Sequence, residues 1–240
     1  MMKFIYVAVA VLSLMSIGQS APVSSCESLI QTTEISGTEQ LLGKWMAIAE
    51  STNLPASKIL TKMFLETAWS KITAANESDA ITVQQYQKVL GRCFTVTIKM
   101  TLANSTLSMV EPYVASEVML NTRCPDCLVL YSKYTLEANT YRGLQLLSRR
   151  KSVTAAELVD FKKQVECLNL PAPAVLDSEK GFCPDESASP GTETTDLTSA
   201  MKSISPQIFS MIERITDTEG GIQMLSDIIT SSLIETDDYY

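Results

Sequence analysis

Between Gly43 and Ser148 the sequence breaks into eight short stretches rich in Val, Ile, Thr, Tyr and Leu: 43–51, 63–73, 80–89, 93–102, 106–111, 116–122, 127–136 and 141–148. Turn-forming residues such as Asn76 to Asp79 and Ala103-Asn104 separate them. Short β-prone runs at this regular spacing are the pattern of an antiparallel sandwich or barrel. After them Ser152 to Glu157 supplies a cap and a carboxylate, and Leu158, Phe161, Val165 and Leu168 recur at helical spacing before Pro171. That predicts an amphipathic helix of about 14 residues. Periodicity alone therefore reads as all-β with a late helix and leaves barrel and sandwich both open.

The chain has 240 residues, a net charge of −8 and no histidine. A balance this acidic argues against nucleic acid, whose phosphates need clustered Lys and Arg. The absence of histidine removes Ser-His-Asp and Cys-His nucleophilic sites, the HExxH metal site and His-ligated metal or haem. No cofactor is indicated. Met1, Met2 and Lys3 precede an apolar run from Phe4 to Ile17, and Gly18-Gln19-Ser20 sets small residues before Ala21. Residues 1–20 read as a cleaved secretory signal, too short to span a bilayer comfortably. The expected mature chain is secreted and extracellular, without integral membrane insertion.

Secretion decides how Cys26, Cys93, Cys124, Cys127, Cys167 and Cys183 are read. Six cysteines in an oxidising compartment imply disulfides, with fifteen pairings open. Cys124-Pro125-Asp126-Cys127 precedes the β-prone run Leu128 to Tyr131, and Pro-Asp is turn chemistry. That favours a small bridge at a hairpin turn over a redox or metal motif. Asn76-Glu77-Ser78 and Asn104-Ser105-Thr106 are glycosylation sequons in expected turns.

Gly43-Lys44-Trp45 opening the first strand, Arg149-Arg150 ending the last, TAAELVDFKKQVECLNLP after them and four spaced cysteines resemble the lipocalin family. Within it the chain is similar to the group of orosomucoid, apolipoprotein M and the saxitoxin- and tetrodotoxin-binding proteins, over about residues 26–185. The family's middle Thr-Asp-Tyr-like turn is not recognisable, and CPDC occupies the neighbouring turn. The resemblance implies an eight-stranded antiparallel up-and-down β-barrel over 21–185 and a C-terminal α-helix; beyond it, residues 186–240 read from their own composition and periodicity as a partly helical or disordered acidic extension. The resemblance also implies barrel closure by Gly43, Trp45 and Arg149 or Arg150, and pairings Cys26–Cys167 and Cys93–Cys183. Cys124 and Cys127 are then left for each other.

If Cys93 points outward to meet Cys183, then Thr95, Thr97 and Lys99 follow it, and Phe94, Val96, Ile98 and Met100 face the interior. Gln85 and Gln87 share the inner face of the preceding strand unless the register is shifted by one. The resemblance carries Ala47, Met109, Gln145 and Leu147 onto pocket-lining positions as well. No carboxylate stands among these positions. The expected guest is a small, neutral lipophile (steroid-, lipid- or toxin-like) with one or two polar groups, and a strongly cationic toxin is disfavoured.

After Cys183 the chain carries eleven acidic and two basic side chains, so the acidity lies in the tail. Residues 184–197 read as a disordered linker. Ser205-Pro206 then caps an apolar-periodic stretch, broken at Gly220-Gly221 and resumed by Ile222, Leu225, Ile228, Ile229 and Leu233. Such helices need a surface, which is the barrel, each other, or a lipoprotein or protein partner bound through 198–236. Asp237-Asp238-Tyr239-Tyr240 resembles a tyrosine-sulfation site. Three classes follow: a non-enzymatic carrier, an interaction protein acting through its tail, and, less favoured, an isomerase similar to the prostaglandin branch, which needs a free inward cysteine.

Overall fold

The structure, a computed structural model, describes residues 25–55, 57–111, 113–136, 139–185, 194–203 and 207–234. The signal segment 1–20, the Ser205-Pro206 cap and the acidic tyrosines Tyr239 and Tyr240 lie outside the described residues.

Eight long or medium strands form the wall: β2 (Gly43–Thr52), β3 (Leu65–Ala74), β4 (Ala80–Val89), β5 (Arg92–Ala103), β6 (Thr106–Met109), β7 (Val114–Leu120), β8 (Cys127–Leu136) and β9 (Asn139–Ser148). Each pairs antiparallel with the next, and β2 pairs with β9, so the sheet closes on itself as a barrel. Closure satisfies both edges of every wall strand where pairing is complete. Asn104 and Ser105 both take positive φ in the tight β5–β6 turn, a conformation that two-residue hairpins favour and that Asn tolerates. The sandwich alternative is thereby excluded.

A short strand β1 (Thr32–Thr33) pairs with β7. The helix α1 (Cys26–Leu29) precedes it. Helix α2 (Ser57–Phe64) lies in the β2–β3 connection, which the sequence pattern did not separate from the following strand. Helix α3 (Ala155–Cys167) begins with a complete capping box, Thr154 and Glu157 each bonding the other's backbone N–H. Its Phe161 and Val165 are buried with Leu144, Leu146 and Val129 of the barrel's outer face. Strand β10 (Ala174–Val175) then pairs with β2 at Ala49 and Glu50, above the point where β3 leaves it.

Three disulfides join Cys26 to Cys167, Cys93 to Cys183 and Cys124 to Cys127. The first ties the N-terminal segment to α3, a contact reinforced by Gln164, whose amide donates to the Leu29 and Asn121 carbonyls at 2.8 Å. The second fixes the segment after α3 to the outer wall, where Trp69 stacks on Tyr86 and donates to the Cys183 carbonyl at 2.8 Å.

One expectation is corrected here. The end of the segment read as a linker is strand β11 (Thr194–Asp196), paired parallel with β5, and α4 (Thr198–Ser203) follows directly. Helices α5 (Gln207–Thr216) and α6 (Gly221–Ile234) then contact each other across a turn. Gly220 supplies a φ of +75°, and a Cβ at Gly221 would lie 1.6 Å from the Ile215 carbonyl oxygen, so the break requires these glycines.

Candidate functional site: a lined barrel cavity

One end of the barrel is filled by a plug of apolar side chains that includes Trp45, Ile72, Ile81, Met100, Leu128 and Leu147. Trp45 Nε1–H donates to the Leu41 carbonyl at 2.7 Å, and the Arg149 guanidinium lies 3.5 Å from the Trp45 ring centroid. Arg149 also donates to the Leu42 and Lys44 carbonyls at 2.7 and 2.9 Å. Of the two candidate arginines, Arg149 is therefore the closing residue. Arg150 turns to Asp126 and Glu157 at 2.6 and 2.9 Å. Hydrogen bonding from Arg150 holds the Asp126 carboxyl below its usual range, and the Thr154 backbone with Arg150 does the same for Glu157. Asp126 thus gives the CPDC turn a second task beside its disulfide. Both sulfurs of that turn are bonded to each other, so the cluster of Cys124, Asp126 and Cys127 offers no thiolate to a metal.

Above the plug the barrel encloses a cavity of about 600 Å³. Gln85, Ile98, Met109 and Gln145, expected in the pocket, line it. Ala47, Gln87 and Leu147 border a space of about 60 Å³ where β2 and β3 part, together with Gln85 and Gln145. Val96 lines a recess of about 590 Å³ beside β5, which shares Ile98 and Met109 with the main cavity. Phe94 is buried on the strand facing Gln87, and Met100 belongs to the plug. The glutamines share a face with Ile81 and Val83 of the interior cluster, so the register is the unshifted one.

The expectation of a cavity without carboxylates is overturned. Glu50 and Glu117 both line it, and no lysine or arginine stands among the described lining residues. Glu50 arrives through a β-bulge between Ala47 and Ala49. Ala47 is opposite Leu147 inside, Ala49 opposite Leu146 outside, and Glu50 opposite Gln145 inside. An extra residue in a strand reverses the facing of everything beyond it. Thr61 of α2 donates a hydrogen bond to Glu50. Glu117 faces inward on β7, opposite Leu107 and Ser132. Burial pushes its carboxyl up from 4.5 to about 7. Burial, then the nearby Glu117 charge, pushes the Tyr113 phenol up to about 12. Tyr134, raised chiefly by burial, shares a hydrogen bond with Thr52.

Sequence reasoning missed Glu50, Glu117, Tyr113, Tyr134 and Met201 as lining residues. A charged residue in the middle of an apolar strand was the available signal for Glu117; nothing local announces the bulge that turns Glu50 inward. The two sequons sit where turns were expected, with Asn76 and Asn104 both exposed.

No protein-family profile matches the sequence, and no curated protein matches it either. Solved structures do match in shape. The siderocalin Ex-FABP, described as functioning through dual ligand specificities, aligns over 61% of this chain and 100% of its own length, with a TM-score of 0.53 and 18% identity. Siderocalin Q83, described as having a dual ligand binding mode, aligns over 62% of this chain and 96% of its own, with a TM-score of 0.53 and 19% identity. With eight wall strands in a closed antiparallel order and α3 against the outer wall, the chain has the lipocalin fold.

Proposed function

We propose that the protein is a secreted, non-catalytic carrier of small lipophilic molecules, held in the barrel cavity with a hydrogen-bond donor or positive charge turned toward Glu117. The observation that carries this reading is a cavity of about 600 Å³ whose described lining holds two carboxylates and no cation. That volume falls in the range that small-ligand sites occupy. Ile98 and Met109 offer apolar contact worth about 25 cal/mol per Å² removed from water. Gln85, Gln145 and Ser132 supply polar partners, and a donor left unmatched beside them costs about 1–3 kcal/mol. A steroid-, lipid- or toxin-like skeleton fits this description when it carries an amine or hydroxyl at one end. The two siderocalins' stated ligand binding supports a binding role, and three disulfides support an oxidising destination. All six cysteines are paired, so the free inward thiol of an isomerase is missing.

The test is displacement of the neutral fluorophore N-phenyl-1-naphthylamine by dodecylamine and by dodecanoate at pH 8. The amine is expected to displace at concentrations at least tenfold lower than the carboxylate, and Glu117→Gln to narrow that gap. Failure of the fluorophore and both amphiphiles to bind removes the reading.

A second reading assigns the tail, residues 198–236, to a lipoprotein or protein partner. Met211, Ile222, Met224 and Ile228 are exposed on α5 and α6, which is what favours it.

A further inference from the structure

In a closed barrel every wall strand needs a neighbour along both edges. Strand β5 gets only a partial one from β6. It runs from Arg92 to Ala103, but β6 pairs only with Thr101, Leu102 and Ala103. Strand β4 takes the other edge of β5 from Arg92 to Thr101, so the β6-side edge above Thr101 is left without a wall strand. The seam this opens is the recess beside β5, bordered by Val96, Ile98, Met109 and Val110. Ile98, Met109 and Val110 also line the main cavity.

The tail takes up part of this free edge and borders the recess. Thr194, Thr195 and Asp196 pair with Cys93, Phe94 and Thr95. The Leu197 N–H donates to the Thr95 carbonyl at 2.8 Å, and the Thr97 N–H donates to Thr198 Oγ1 at 2.9 Å. Asp196 accepts from the Thr198 N–H at 2.9 Å, turning the chain into α4. One turn later Met201 lines both the recess and the main cavity. The tail therefore supplies wall that the eight strands leave out.

The attachment is slight. It consists of a three-residue parallel pairing and a few flanking hydrogen bonds, and the Thr194 hydroxyl is buried without a hydrogen-bond partner among the described residues. At the open end, by contrast, the β2–β3 connection is held to the wall: Leu54 and Ser57 line the cavity, and Thr61 donates to Glu50. Local opening draws on the segments with fewest interactions. We propose that residues 194–201 are a detachable part of the cavity wall, whose departure from β5 opens a side entrance between β5 and β6 for the ligand, with Met201 as the tail residue that touches it. This rests on the carrier reading above and adds the route and the contact.

The test uses the full-length chain. Leu197→Pro removes the N–H that bonds Thr95, and Thr198→Val removes the acceptor of the Thr97 amide while keeping its shape. Stopped-flow mixing with N-phenyl-1-naphthylamine is expected to show association and dissociation both at least fivefold faster in Leu197→Pro, with the thermal midpoint of the barrel unchanged. Thr198→Val is expected to speed hydrogen exchange at the Thr97 amide at least tenfold. Met201→Cys introduces the one unpaired thiol, and saturating fluorophore is expected to slow its alkylation at least fivefold. Unchanged rate constants in Leu197→Pro, or alkylation indifferent to bound fluorophore, overturn the side entrance while leaving the carrier reading standing. Failure of the unsubstituted chain to bind any fluorophore overturns the carrier reading and the entrance together.

Discussion

The Arg149 guanidinium lies 3.5 Å from the centroid of the Trp45 ring and reaches past it to the carbonyls of Leu42 and Lys44. One side chain just past the end of β9 thereby holds the carbonyl before β2, a carbonyl within it and the indole that follows on the same strand. Removing it leaves two carbonyls to water and a ring without its cation. Arg149→Ala is expected to cost about 2 kcal/mol, combining a partly exposed cation–π contact with charge-assisted hydrogen bonds. Arg149→Lys should recover part of that loss, because an ammonium cannot match the fork of a guanidinium. Urea denaturation midpoints of the two variants check both statements; equal midpoints for Arg149→Ala and the native chain would refute them.

Gly43 stands under the same arginine. Its φ is +97°, and a Cβ there would come within 2.9 Å of Arg149 Nη1. Gly91 has a φ of +81° with nothing within 4 Å of a Cβ. Gly91→Ala therefore meets backbone strain alone, about 1 kcal/mol, whereas Gly43→Ala adds a displaced guanidinium and is expected to cost about 2 kcal/mol or more. Thermal midpoints measured side by side should rank them in that order.

Glu117 makes stability depend on pH in an unusual direction. Its carboxyl is pushed up from 4.5 to about 7 in the fold, so between these values the folded chain holds a proton that the unfolded chain has released. Stability then falls as pH rises through this window and levels off above it. Glu117→Gln should flatten the slope and stabilise the protein at pH 8 by on the order of 2–3 kcal/mol. Unfolding free energies at pH 5 and pH 8 for both proteins give the answer, and an unchanged slope in the variant would place Glu117 in contact with water.

The Cys26–Cys167 bridge spans 141 residues of sequence. Replacing both cysteines with serine releases that loop in the unfolded chain, which costs about 4–5 kcal/mol by chain entropy. The loss should exceed that from Cys124→Ser with Cys127→Ser, whose bridge spans 3. Denaturant unfolding of the two double variants decides it.

Much of this was legible in the linear chain. Eight β-prone stretches marked the eight wall strands to within a few residues, because alternation and turn chemistry are local properties. A cap within Ser152 to Glu157, which the structure shows to be Thr154, and the apolar spacing of Leu158, Phe161 and Val165 marked α3 for the same reason. Two cysteine pairings followed from the lipocalin resemblance and the third, Cys124 with Cys127, from the turn chemistry between them, and all three are present in the structure. The choice of Arg149 over Arg150 was not legible, since the decision lies with Asp126 and Glu157, which only the folded chain brings beside Arg150.

The character of the cavity was the part the linear pattern misjudged. Alternation carried forward from Trp45 sends Glu50 outward, and only pairing with β9 shows the bulge that brings it in beside Gln145. Met201 lies in a stretch of tail whose sequence pattern announces neither β11 nor α4, and it reaches the cavity because β6 is too short to cover β5. Periodicity along the chain thus determined the wall and, away from the bulge, its inner and outer faces. Contacts between residues a hundred positions apart decided which charges face the cavity and where the wall is least completely paired, because bulges and unfilled edges arise from the meeting of strands and are encoded in neither strand alone.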